Sequence, residues 1–82
     1  MVNPMLIKVK AKKLGVLLRD ARLKRNRNPD ECAWAIGVSA ERLEAYEEGE
    51  ESPSLPELEL LAYYLNIPPS HFLEQEELWR RT

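Results

Sequence analysis

The 82-residue sequence contains one cysteine, one histidine, one phenylalanine, three glycines and no long apolar run. Each scarcity removes a class of function. A lone Cys32 excludes a disulfide within the chain, and with His71 as the single histidine the sequence lacks the Cys/His set from which zinc sites are built. No stretch approaches the ~20 apolar residues that a membrane-spanning helix needs. In "MVNPMLIKVKAKK" the apolar stretch is short and is cut by Lys8 and Lys10, unlike a secretory leader. The expectation is a cytoplasmic chain with no cofactor, no metal and no membrane partner. One domain of this size buries roughly 60–65% of its unfolded surface, which leaves no room for a deep catalytic cleft. The adjacent pairs Glu50/Glu51 and Glu76/Glu77 diverge instead of forming an acid/base couple, so no enzyme is expected.

What the sequence does have is charge, unevenly placed. Residues 1–27 carry nine Lys/Arg against one acid, and residues 28–82 carry three bases against thirteen acids. Such asymmetry marks either a surface that meets a charged partner or two halves that neutralise each other within one fold.

The hydrophobic pattern is helical. Ile7 and Val9 alternate with Lys8 and Lys10, which predicts a short strand or extended arm over 1–11. From Lys12 the period changes: Leu14, Leu17, Leu18 and Ala21 fall on one helix face. "NRN" at 26–28 ends that helix, since Asn tolerates the left-handed conformation common at helix ends. Asn28 then caps a second helix with Pro29 at its first position and Asp30 and Glu31 complementing its dipole, and Gly37 ends it. Ser39 caps a third helix with Leu43 and Tyr46 inward, ending at Gly49. Ser54 and Glu57 form a capping box for a fourth with Leu58, Leu61, Ala62 and Leu65 inward, while one of Tyr63 and Tyr64 is expected in the core. A last helix starts near Pro69 and runs through Phe72 and Leu73 towards Trp79. The expected architecture is an all-α, five-helix orthogonal bundle with an extended N-terminal arm. Its divisions are an arm (1–11), a helical domain (12–74) and a C-terminal helical extension (75–82). "LEQEELWRRT" ends without a recognisable stop signal, as a fragment of a longer protein would.

Two short helices joined by a tight Gly-containing turn are the helix-turn-helix unit. "LGVLLRDAR" (14–22), "DECAWAIGVS" (30–39), "RLEAYEEG" (42–49), "PSLPELELLAYYL" (53–65) and "IPPSHFL" (67–73) resemble, in order and spacing, the Xre family of phage repressor and Cro-type domains. The resemblance implies a lambda-repressor-like bundle. It also implies a structural ion pair between Arg22, late in helix 1, and Glu47, late in helix 3. Helix 3, about 39–48, would lie in the major groove of double-stranded DNA. Base edges would then be met by Ala40, Glu41, Arg42 and Ala45, with Arg42 on guanine O6/N7 and Glu41 accepting from a cytosine amine. Phosphates would be met by Arg27, by the backbone amides at Asn28 and Ser39, and by Arg25 if it faces that way.

The sequence departs from the family pattern at the phosphate contacts. Pro29 stands where a Gln often grips the DNA backbone, and Glu50, Glu51 and Ser52 stand where Lys, Arg or Thr are common. Phosphate neutralisation supplies most non-specific affinity, so the expectation is a sequence-specific transcriptional regulator with weak phosphate contacts, acting as a homodimer. Val16, Leu17, Trp34 and Trp79 are apolar where the family is polar. They are either covered locally, by the arm or the C-terminal helix, or form a protein-partner or self-association surface. The alternative functions are a protein-interaction module of the RodZ-like kind, with the acidic helix 3 not used on DNA, or an antitoxin.

Overall fold

The computed structural model describes the backbone of residues 4–72 and the side chains of residues 11–72. Four helices follow in order: α1 (Pro4–Lys24), α2 (Pro29–Ile36), α3 (Ala40–Glu48) and α4 (Leu55–Leu65). Residues 70–72 begin a further helical segment where the description ends. The described residues contain no strand. Leu73, Trp79 and the 75–82 extension lie outside them.

The N-terminal arm is a correction. Residues from Pro4 onward are the first two turns of α1, not an extended strand. Pro4 opens the helix at a position where its missing N–H costs nothing, and Lys, Ala and Leu are good helix formers. A four-residue alternation is too short to impose a strand on that background. The buried stripe also begins earlier than expected, at Ala11, and continues through Leu14, Leu18 and Ala21. Because the arm continues the α1 axis, it cannot fold back over Val16 or Leu17.

The other boundaries rest on local chemistry. Asn26, at φ 55°, turns the chain out of α1. The Asn28 side chain accepts from the Glu31 N–H, and the Glu31 carboxylate accepts in return from the Asn28 N–H, a reciprocal capping box at α2. Gly37, at φ 75°, ends α2 in the left-handed conformation; a residue with a Cβ would be strained there, and this bend sets the angle between α2 and α3. Ser39 caps α3 and Ser54 caps α4, the latter through the Ser54–Glu57 box. Asn66, at φ 57°, ends α4.

The core joins Leu14, Leu18 and Ala21 of α1, Cys32, Ala33 and Ile36 of α2, Leu43 and Tyr46 of α3, Leu58, Leu61, Ala62 and Leu65 of α4, and Phe72. Burial pushes the Cys32 thiol up to about 11, so it behaves as a small apolar core residue. Neither tyrosine of α4 is in this core: Tyr63 is exposed and Tyr64 packs at its edge. Between α1 and α3 the backbones themselves meet, since a Cβ on Gly15 would lie 2.3 Å from the Glu47 carbonyl oxygen.

Candidate nucleic-acid interface

The α2–turn–α3 unit presents α3 with one face on the core and the other to solvent. Leu43, Tyr46 and Glu47 are buried. The opposite stripe, at helical i, i+3, i+4, i+7 spacing, is Glu41, Glu44, Ala45 and Glu48, with the three carboxylates exposed and Ala45 half-buried. Arg42 flanks that stripe in the first turn of α3, whose cap is set by the Arg42 N–H donating to Ser39 Oγ at 3.1 Å. Ala40 is half-buried against the core, which leaves Glu41 and Arg42 as the projecting side chains of the N-terminal turn.

Arg42 is already engaged. Its guanidinium lies 3.6 Å from Glu51 Oε1, both side chains being about half exposed. The turn after α3 makes this contact: the Glu50 and Glu51 N–H groups both donate to the Ala45 carbonyl, at 2.9 and 3.3 Å, folding Glu51 back along the helix. On the core side of Arg42, the Tyr46 hydroxyl donates to both Glu57 oxygens, at 3.0 and 3.2 Å. Glu57 also accepts from the Ser54 N–H at 2.8 Å. Burial pushes the Glu57 carboxyl up, but the Ser54 and Tyr46 hydrogen bonds and the Arg42 charge outweigh it, and the net shift is downward. At Tyr46 burial comes first and the Glu57 hydrogen bond second, and both raise the phenol.

The expected phosphate helpers are used within the fold. The Asn28 N–H is taken by Glu31. Arg27 lies 3.4 Å from Glu31 Oε2 and stacks over the Tyr64 ring with 5.3 Å to its centroid. Arg25 donates to the Asn66 carbonyl at 3.2 Å, tying the end of α1 to the end of α4. At the other rim Glu50 is held above the usual carboxylate range, first by the neighbouring Glu48 carboxylate, then by a small loss of solvent and the Glu51 charge. Three carboxylates therefore crowd the edge where a DNA backbone would pass.

Below this surface, Arg22 Nε donates to Glu47 Oε2 at 2.7 Å and Nη2 to Oε1 at 3.0 Å, a two-pronged pair with both residues buried. Nη1 donates to the Arg27 carbonyl at 3.0 Å, so one guanidinium fixes α1, the α1–α2 turn and α3 together. The Glu47 hydrogen bond is the largest reason the Arg22 guanidinium is held above its ordinary range.

Of the apolar candidates for a partner surface, Val16 is 56% exposed and Trp34 81%. Leu17, on the apolar face of α1, is half-buried and packs on the core. Trp79 lies outside the described residues. Two exposed apolar residues on α4, Leu60 and Tyr63, were missed because both continue an apolar run whose neighbours are core. The Asn28–Glu31 box is legible as Asn-x-x-Glu; the Arg42–Glu51 contact has no local signal, since a turn brings together residues nine apart. Among the described residues no group of side chains could hold a metal ion, and no helix is long and apolar enough to cross a membrane.

The family model for a helix-turn-helix domain matches residues 13–74. A transcriptional repressor of the cryptic phage CTXphi from Vibrio cholerae, RstR, is 37% identical over 60 residues, covering 73% of this chain and 54% of its own. The chain thus spans about half the length of that relative. The crystal structure of the restriction-modification controller protein C.AhdI from Aeromonas hydrophila superposes with a TM-score of 0.73 at 25% identity, covering 78% of this chain and 97% of that one. With residues 13–74 carrying the capped α2–Gly37–α3 unit and its buried Arg22–Glu47 tie, the chain belongs to the helix-turn-helix family, of the Xre type.

Proposed function

We propose that the protein is a sequence-specific DNA-binding transcriptional regulator. It lays α3 in the major groove of double-stranded DNA, works as a homodimer in the cytoplasm, and relies on few phosphate contacts. The observation that carries the reading is the rigid presentation of Arg42. It sits in the first turn of α3, exposed, on a helix fixed to α1 by the buried Arg22–Glu47 pair. Residues in that turn of a helix-turn-helix recognition helix are the ones that meet base edges. Relatives named as a phage repressor and a restriction-modification controller support this reading over a protein-interaction module or an antitoxin. A dimer would join two weak readers on two half-sites one DNA turn apart.

The site is thin. Arg42 is the base-reading cation, Glu41 accepts from a cytosine amine, and Ala45 and Ala40 touch thymine methyls. Arg27, Asn28 and Arg25 contribute to phosphates only after giving up part of their internal bonding, and the Ser39 amide at the start of α3 adds a further donor. Selection from random duplex DNA at low salt tests the reading. The expected outcome is an enriched, two-fold symmetric consensus whose binding is lost in Arg42→Ala. Failure to enrich any sequence would overturn it.

A further inference from the structure

We propose that Glu51 is a positioning residue for Arg42 that sets base specificity by making the guanidinium a poor phosphate ligand and a good guanine ligand. The inference rests on the DNA-binding reading and goes beyond it, because it assigns a role to a carboxylate that would otherwise only weaken binding.

A guanidinium carries five N–H donors in a planar fork. Glu51 Oε1, 3.6 Å from Arg42 Nη2, pairs by charge with one arm of that fork. Guanine O6 and N7 take two parallel N–H bonds and carry no net charge. Guanine can therefore share the guanidinium with Glu51, each using a different edge. A phosphate cannot share it on the same terms, since its oxygens would be brought against the Glu51 carboxylate as well as against Glu41 and Glu48 on the exposed stripe. Like charges at such distances repel and cannot be relieved without moving Glu51. The backbone holds Glu51 beside Arg42, since its own N–H and that of Glu50 are tied to the Ala45 carbonyl, and swinging the carboxylate away gives up the ion pair. Glu57, fixed by Ser54 and the Tyr46 hydroxyl, adds a second stationary negative charge at the α4 end of the same neighbourhood. The guanidinium is thus framed by carboxylates and left open where a neutral double acceptor fits.

Glu50 supplies the control. It is one residue away and has the same charge, but its carboxyl interacts with Glu48 instead of Arg42. The experiment compares wild type, Glu51→Gln and Glu50→Gln on the selected duplex and on duplexes in which each G·C pair is changed in turn to A·T. Binding is followed by fluorescence anisotropy. Both variants should tighten binding to every duplex by removing a repulsive charge. Only Glu51→Gln should also erode discrimination, by about three- to fivefold at a single G·C pair, the scale of an exposed ion pair. In an Arg42→Lys background, which keeps the charge but not the planar fork, the Glu51 substitution should have no further effect at that pair. Equal behaviour of the two variants, with discrimination intact, overturns the inference while leaving DNA binding standing. So does a wild type that binds but ignores every G·C change. A wild type that binds no duplex at low salt removes the DNA reading and this inference together.

Discussion

Arg22 and Glu47 are the residues on which the geometry of the reading helix depends most. Their ion pair is buried and two-pronged, and Arg22 also holds the Arg27 carbonyl. Removing one partner strands a charge away from water, at a typical cost of about 3–5 kcal/mol. Glu47→Ala should therefore lower the melting temperature by at least about 12 °C in a domain this small, followed by circular dichroism. An unchanged melt would refute the structural role. Glu57 makes a pH prediction. Its carboxyl is lowered in the folded protein, so its contribution is present above the ordinary carboxylate range and is lost as pH falls through the lowered folded value. Stability of wild type should then fall more steeply between about pH 5 and pH 3 than that of Glu57→Gln. The Arg22–Glu47 pair followed from family position alone, and nothing in its local sequence announces it. The partners of Arg27 and Arg42 could not be read at all, because Tyr64 and Glu51 reach them only after the chain has folded.

Individual elements were more legible where their signals are local. Asn28, Ser39 and Ser54 cap the three short helices because each offers a side-chain oxygen two or three residues before the amide it accepts from. Asn26 and Asn66 take the left-handed conformation at the ends of α1 and α4. The start of α1 was illegible for the opposite reason. Ile7 and Val9 alternating with Lys8 and Lys10 give period two over four residues, and helix continuity from Pro4 overrides it. The alternation at Tyr63–Tyr64 was likewise uninformative, because α4 has only one buried stripe and Leu61, Ala62 and Leu65 fill it. Gly15 tests the packing of elements. Inside a helix, Gly→Ala ordinarily stabilises by about 1 kcal/mol, but here the new methyl would strike the α3 backbone at the Glu47 and Tyr46 carbonyls. Backbone cannot yield as a flexible side chain can, so overpacking of about 1–3 kcal/mol or more should win. Gly15→Ala is expected to lower the melting temperature, and a rise would mean that α1 and α3 are not in backbone contact.

Across the molecule, part of the charge asymmetry of the sequence is neutralised within the fold. Three Arg of the basic segment, Arg22, Arg25 and Arg27, bind Glu47, the Asn66 carbonyl and Glu31. What remains outside on α3 and its following turn is one Arg among Glu41, Glu44, Glu48, Glu50 and Glu51. That imbalance predicts a pH response of binding. Glu50 is held above the usual carboxylate range by Glu48 and Glu51, so it takes up a proton at a higher pH than an isolated Glu. A nearby phosphate would push it further in the same direction. Affinity for DNA should therefore rise as pH is lowered from 7.5 towards about 5.5, and Glu50→Gln should flatten that rise. Equal slopes for the two chains would remove Glu50 from the explanation.

An acid-framed α3 of this kind reads bases through Arg42 while leaning little on phosphates. The most direct measurement is affinity for the selected duplex as a function of salt concentration. Each neutralised phosphate contributes about −0.9 to the slope of log K against log salt. The account predicts a shallow slope, no steeper than about −3 per domain, together with sequence preference that persists at the higher salt. A slope steeper than about −5 per domain, with preference vanishing as salt rises, would show a phosphate-driven binder and contradict the account.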